Sequence, residues 1–256
     1  MYKGIELISK MLELAHTDVA VFPPTILYNE GWMLRVLLSL QSEGKGGLPF
    51  TFLPGARWFS EALIDSPFLP RFRGDPLAEG LTHLDGAIGH FDIRDRTKAG
   101  LAITADSKQF VAIEAKMFSK LSKGTTNAPN YDQAARIVAC IAWAIKQAKR
   151  TAEDFESLGF YVFAPYDQIN RDVFSSQVNK DSINEKVEHR INAYVVDDKK
   201  YAELKTWQKD FFVPVLERID VRCIPWETII DKIDDPDIWN FYRRCILFNT
   251  STRAGD

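Results

Sequence analysis

The chain has 256 residues, of which 46% are hydrophobic and 26% charged. That supports a core for one large domain, or a domain with extensions, and excludes a globally disordered chain. A formal net charge of −3 and an isoelectric point of about 5.9 exclude a protein coated in positive charge that grips nucleic acid indiscriminately, though local basic patches remain compatible.

The three cysteines, Cys140, Cys223 and Cys245, are far apart and form no C-x-x-C pair. They read as small buried hydrophobes in a reducing cytoplasm. The opening MYKGIELISK has no signal-peptide core, and no apolar run reaches the length of a membrane span. A cytoplasmic protein without a membrane partner is expected.

In chain order, Ile5, Ile8 and Leu12 with Met11 and Leu14 predict an N-terminal amphipathic helix. Pro23-Pro24 breaks the chain. Thr25 is the expected cap of a second helix running to about Gln41, with Leu27, Leu34, Leu37 and Leu38 on its apolar face. Gly44, Gly46 and Gly47 end it, and a short helical piece is expected around 58–64 before a loop rich in Pro and Gly at 71–76. Three strands are predicted at 84–93, 101–105 and 110–116, separated by polar turns. A loop of Lys, Ser, Gly, Thr and Asn then leads to a helix over 131–149, with Ala134, Ile137, Val138, Ile141 and Ile145 facing inward. A buried strand at 159–165, helical segments over most of 167–217, a strand at 221–225 and a helix to about Phe248 complete an α/β chain.

The chemistry stands out against this background. Glu114 and Lys116 lie two apart, so on a strand they share a face, and they interrupt the apolar run Phe110, Val111, Ala112, Ile113, Ala115. A buried charge is costly unless paired or coordinated. The ordinary reading of an isolated E-x-K is a salt bridge on a half-exposed strand. Asp85, in HLDGAIGHF, adds a second carboxylate, although Asp before Gly is also a common turn. Two carboxylates near each other make the oxygen-rich environment that Mg²⁺ or Mn²⁺ prefers.

These residues resemble the PD-(D/E)XK nuclease superfamily, over roughly residues 25–165. Asp85 matches the first acid of the motif and Glu114-Ala115-Lys116 its second half. Glu30, in NEGWMLRVLL, matches the acid often found on the family's first core helix. Gln133, in NYDQAARIVACIAWAI, resembles the polar residue that often opens the helix after the third strand. The resemblance implies a restriction-endonuclease-like mixed sheet flanked by helices, with additional N- and C-terminal helices. It implies one domain over 1–256, with its core at 25–165 and an extension over 166–256. Asp85, Glu114, Glu30 and the Ala115 carbonyl would bind Mg²⁺ or Mn²⁺, and Lys116 would position or activate a water. On this reading the Lys116 pKa, beside the metal and other cations, should be pushed down. The implied activity is phosphodiester hydrolysis of nucleic acid, DNA ahead of RNA, in an endonuclease of restriction or defence type. A homodimer or a partner subunit is compatible with it.

The chain departs from the family pattern in two places. Leu84 replaces the signature proline, and Glu114 lies 29 positions after Asp85, room enough for an intervening strand that would keep the two acids apart. Asp92 and Asp106 are therefore rivals for the first acid. Lys120, Lys123 and Arg136 make a candidate phosphate-binding edge, with a solvated loop as the alternative. His83 and His90, which flank Asp85, and Trp226-Glu227 read as structural. The competing function is a nucleic-acid-binding or assembly subunit that keeps the nuclease fold without cleaving.

Overall fold

Two apolar runs, Gln109–Ala115 and Ser157–Ala164, bury almost every residue on both sides. Only strands covered by helices on both faces read this way. The computed structural model, which describes residues 3–250, has that architecture. Its N-terminal half runs α1 (Lys3–Glu13), α2 (Glu30–Ser42), β1 (Arg57–Ile64), β2 (Thr82–Gly89), β3 (Phe91–Ile93), β4 (Leu101–Ile103), β5 (Gln109–Ala115) and α3 (Gln133–Gln147). The second half runs β6 (Ser157–Ala164), α4 (Tyr166–Asn170), α5 (Lys180–Asn192), α6 (Asp198–Trp207), α7 (Val213–Arg218), β7 (Asp220–Pro225), α8 (Trp226–Ile233) and α9 (Pro236–Thr250). A π-helical turn, Gln208–Phe212, joins α6 to α7.

The main sheet has five strands in the order β1-β2-β5-β6-β7. The first three are antiparallel neighbours, and β5-β6 and β6-β7 are parallel. The parallel step from β5 to β6 is made through α3, as a parallel connection requires. One face carries α3, α5, α6 and α7 through residues such as Ile137, Ile141, Val187, Leu204 and Val215. The other carries α2, α8 and α9 through Leu34, Leu38, Trp226, Ile230 and Cys245. Among the described residues no helix is long and apolar enough to cross a membrane.

The structure corrects several expectations. Residues 58–64 form the edge strand β1, not a helix. Ser60 turns toward α2, where its Oγ accepts from Arg35 Nε at 2.9 Å, whereas Phe59, Ala62 and Ile64 pack on the α3 side. The swap occurs at Glu61, which has a φ of 57°. It breaks the period-two alternation, so the strand's sequence mimics helical spacing. The expected strand 84–93 is two strands in separate sheets, since β3 pairs only with β4. Gly89 makes the break with a φ of 140°. The cap of α2 is Asn29, whose side chain accepts from Trp32 N–H at 3.0 Å, so the helix begins four residues later than a Thr25 cap implies. The C-terminal helix divides at Asp234, which is left-handed with a φ of 54°. The strand expected at 221–225 is β7, which joins the main sheet beside β6, and Trp226 just after it is fully buried.

Gly89 gives a direct test of this strand break. A Cβ there would stand 1.9 Å from the Gln109 carbonyl oxygen, on a backbone that side chains rarely adopt. Gly89→Ala is expected to cost more than about 2 kcal/mol in chemical denaturation. Gly80→Ala, where nothing lies within 4 Å, should be nearly neutral. Equal stabilities for the two variants would show that the break does not depend on glycine.

Candidate active site

The site forms where the sheet forks. Pairing between β2 and β5 runs from Gly89↔Phe110 to Gly86↔Ile113 and stops there; the next pair would be Asp85 and Glu114. Beyond that point β2 stays with β1 as far as Thr82, and β5 stays with β6 through Ala115↔Phe163. The fork opens at the gap in the β1–β2 register between Ser60↔Gly86 and Ala62↔Leu84, where Glu61 and Asp85 lie. The 28 intervening residues do not separate the two acids, because β3 and β4 fold away into their own hairpin.

Asp85 closes the fork chemically. Its Oδ2 accepts the Ala115 backbone N–H at 2.7 Å, which the ladder no longer serves. Glu114 lies beside it with only 2% of its side chain exposed, and Lys116 Nζ donates to Glu114 Oε1 at 2.5 Å. Glu114 Oε2 is buried without a hydrogen-bond partner. Glu30, the first residue of α2, stands at a helix N-terminus that favours an acid, and its charge reaches Lys116. The structure thus brings Glu114 and Lys116 into direct contact, with Asp85 bonded to the backbone of Ala115 between them and Glu30 an outer charge. Among the described residues no three His, Cys, Asp or Glu side chains converge as a metal cluster. The donor set at the fork is a pair of carboxylates.

Charge is finely divided here. Burial, followed by the Asp85 charge, pushes Glu114 up to about 8 despite its contact with Lys116. Burial alone would lower Lys116, but Glu114, Asp85 and Glu30 outweigh it and raise the lysine above its ordinary value. The acids around it hold it as a cation.

Other residues fix this arrangement. Trp226 Nε1 donates to the Lys116 carbonyl at 2.9 Å, and Lys116 N–H donates to the Phe163 carbonyl at 2.8 Å. The lysine backbone is therefore clamped from two sides. Sequence reasoning assigned Trp226 to packing; its hydrogen bond joins residues 110 apart and leaves no local signal. Its neighbour Glu227 accepts from Tyr166 N–H at 2.9 Å and from the Tyr242 hydroxyl at 2.5 Å, a structural role as expected.

The remaining candidates separate. Gln133 Oε1 accepts from Ser122 N–H at 3.1 Å, and its own N–H donates to Ser122 O at 3.0 Å, so this residue anchors the loop after Lys116. Lys120 and Lys123 line a groove of about 790 Å³ with Lys186 and His189, but also with Asp132, Glu185 and Glu188. The groove does not include Asp85, Glu114 or Lys116. Arg136 is not on that edge: it lines a different, smaller pocket beside Glu79. Asp92 is an exposed partner of Arg57 at 3.2 Å, and Asp106 lies in the turn between β4 and β5, its pKa lowered chiefly by a hydrogen bond with Thr104. Neither rivals Asp85 in position. His83 is exposed. His90 Nδ1 accepts from Lys108 and Gln109 N–H, both at 3.3 Å, and Nε2 lies 3.0 Å from the Pro54 carbonyl, which fixes it as a structural residue.

Comparison with known protein families, with curated proteins and with solved structures finds no match for this chain.

The carboxylate pair predicts a pH signature. Glu114 holds its proton in the folded chain up to about 8 but only to about 4.5 when unfolded. Its contribution is therefore complete below pH 4.5 and is lost as pH rises toward 8, by at most about 1.4 kcal/mol per pH unit. Denaturation in EDTA should show the wild type losing stability relative to Glu114→Gln across that window. Parallel profiles would show that Lys116 keeps Glu114 ionised.

Proposed function

We propose that the chain is a metal-dependent nuclease of the PD-(D/E)XK type, cleaving phosphodiester bonds in DNA. The observation that carries this reading is the fork: Asp85, Glu114 and Lys116 meet at the point where β2 and β5 part, with Glu114 Oε2 left without a partner. The surroundings support it. The strand bearing Glu114 is the third of the main sheet, it leads into α3, and α2 presents Glu30 toward Lys116, as the resemblance implies.

A pair of acids with an unpartnered buried oxygen suits a hard divalent cation such as Mg²⁺ or Mn²⁺. Asp85 and Glu114 would hold it, with the Ala115 carbonyl as the family's third ligand. Such an ion supplies charge to polarise a phosphate and to acidify a bound water.

The protein's own groups do the rest. Asp85 has two tasks, since one oxygen holds Ala115 N–H and keeps the end of β5 in place. Lys116, kept charged and clamped through its backbone, presents a fixed cation where negative charge develops on the phosphate oxygens. Glu30 is a positioning residue that steadies the Lys116 ammonium from the α2 side. Lys120 and Lys123, four and seven residues beyond Lys116, would meet the backbone of the substrate as it leaves the site.

Incubation with supercoiled plasmid tests the reading. Nicking is expected with Mg²⁺ or Mn²⁺ and none with EDTA. Glu114→Ala should abolish cleavage, and Lys116→Ala should lower the rate about 100-fold or more while metal binding persists. Intact DNA and RNA with both metals would favour the other reading, a non-cleaving nucleic-acid-binding subunit. Cleavage that survives both substitutions would remove this site from the mechanism.

A further inference from the structure

The N-terminal helix carries an apolar face that its own molecule leaves uncovered. No residue of α1 is buried, and Ile5, Leu7, Ile8 and Met11, with Leu14 just beyond, are between 37% and 52% exposed. Within α1 only Leu12 is half-buried. The helix is tied to the body at its far end, where Ala15 enters the core and His16 Nδ1 lies 3.1 Å from the Tyr28 hydroxyl. We propose that α1 is a dimerisation helix, which pairs antiparallel with α1 of a second copy of this chain about a two-fold axis at Ile8.

The need for a partner comes from the helix itself. It has eleven residues, whereas a helix shorter than about 12–15 residues is marginal in water without tertiary packing. At about 100° per residue, Leu14, Leu7, Met11, Ile8 and Ile5 spread over about half the circumference. Lys3, Glu6, Lys10 and Glu13 share an arc of about 80° beside it. An apolar stripe of this width is made to be buried.

The order of the charges selects the partner. Lys3 and Glu13 each lie five positions from Ile8, and Glu6 and Lys10 each lie two positions from it. An antiparallel copy centred on Ile8 therefore sets Lys3 level with Glu13 and Glu6 level with Lys10, twice over by symmetry. Ile5 and Met11, three positions either side of Ile8, come level in the same way. An in-register parallel copy would set every charge level with its own kind. A lipid surface is a poorer match, because helices that lie in an anionic interface carry an excess of Lys or Arg on the polar face. Here two lysines are balanced by two glutamates. The apolar side chains supply the affinity and the charges fix the register. Eleven residues at about 1.5 Å each give a contact about 16 Å long, so the interface belongs to the small, weak class below about 1,200 Å².

Sedimentation velocity of the full chain across the micromolar range tests the pairing. The wild type should pass reversibly from monomer to dimer as its concentration rises. Ile8→Asp, which sets two carboxylates against each other at the axis, should stay monomeric throughout. Its thermal melting should be unchanged, since Ile8 is not buried. Glu6→Lys and Lys10→Glu should each associate about fivefold more weakly or worse, because each turns two attractive pairs into repulsive ones. An equimolar mixture of these two variants restores both pairs, and should regain the association of the wild type. A wild type that is monomeric at every concentration would overturn the proposal, as would one that instead floats with phosphatidylserine–phosphatidylcholine vesicles. So would a dimer indifferent to Ile8→Asp, or a mixture that associates no more tightly than its components.

Discussion

The hydrogen bond from Ala115 N–H to Asp85 Oδ2 is the constraint on which the site depends. A sheet that splits leaves ladder groups without partners, and a buried backbone N–H cannot go unserved cheaply. Here a side-chain carboxylate takes the place of a ladder carbonyl. The acid is thereby held at the mouth of the fork, with Glu114 adjacent on the other prong. Lys116 follows because it lies two residues along the same strand, and its carbonyl and N–H are held by Trp226 and Phe163. Without the split, Asp85 and Glu114 would be ordinary cross-strand neighbours, two like charges opposed for no return.

The split in turn depends on the edge strand. Glu61 adopts a left-handed backbone opposite Asp85, and at that point β1 exchanges the face it presents to each helical layer. Arg35 of α2 secures the crossing, reaching both Ser60 Oγ at 2.9 Å and Glu61 Oε1 at 3.1 Å. The polar residues of β1 thus hold α2, and with it Glu30, against the prong that carries Asp85. Local backbone strain of this kind costs of order 1–3 kcal/mol, and it persists only where surrounding contacts determine it.

What could be read from the sequence followed burial. β5, β6 and α3 announced themselves because continuous apolar runs and a strong 3.6-residue period leave few alternatives. Glu114 and Lys116 stood out for the same reason, as charges in a run built for burial. β1 was illegible because its face swap at Glu61 destroys the alternation by which strands are recognised. The neighbouring positions of Asp85 and Glu114 could not be deduced either. Whether β3 and β4 insert between their strands or fold aside turns on one glycine, Gly89, whose backbone no spacing rule reports. The charges that act on Lys116 could not be read either, because they come from acids 2, 31 and 86 positions away, which only the folded chain assembles.

The clamp on Lys116 has a bearing on biosynthesis. The carboxylates and the lysine are translated early, but Trp226 emerges from the ribosome 110 residues after Lys116. A nascent chain can lay down β1, β2 and β5 and still lack the indole that fixes the lysine's carbonyl. The order of synthesis thus works as a timer: the ammonium gains its fixed position only once β7 has been made and α8 has docked. Until then the growing polypeptide carries Asp85, Glu114 and Lys116 without the contact that fixes the lysine carbonyl.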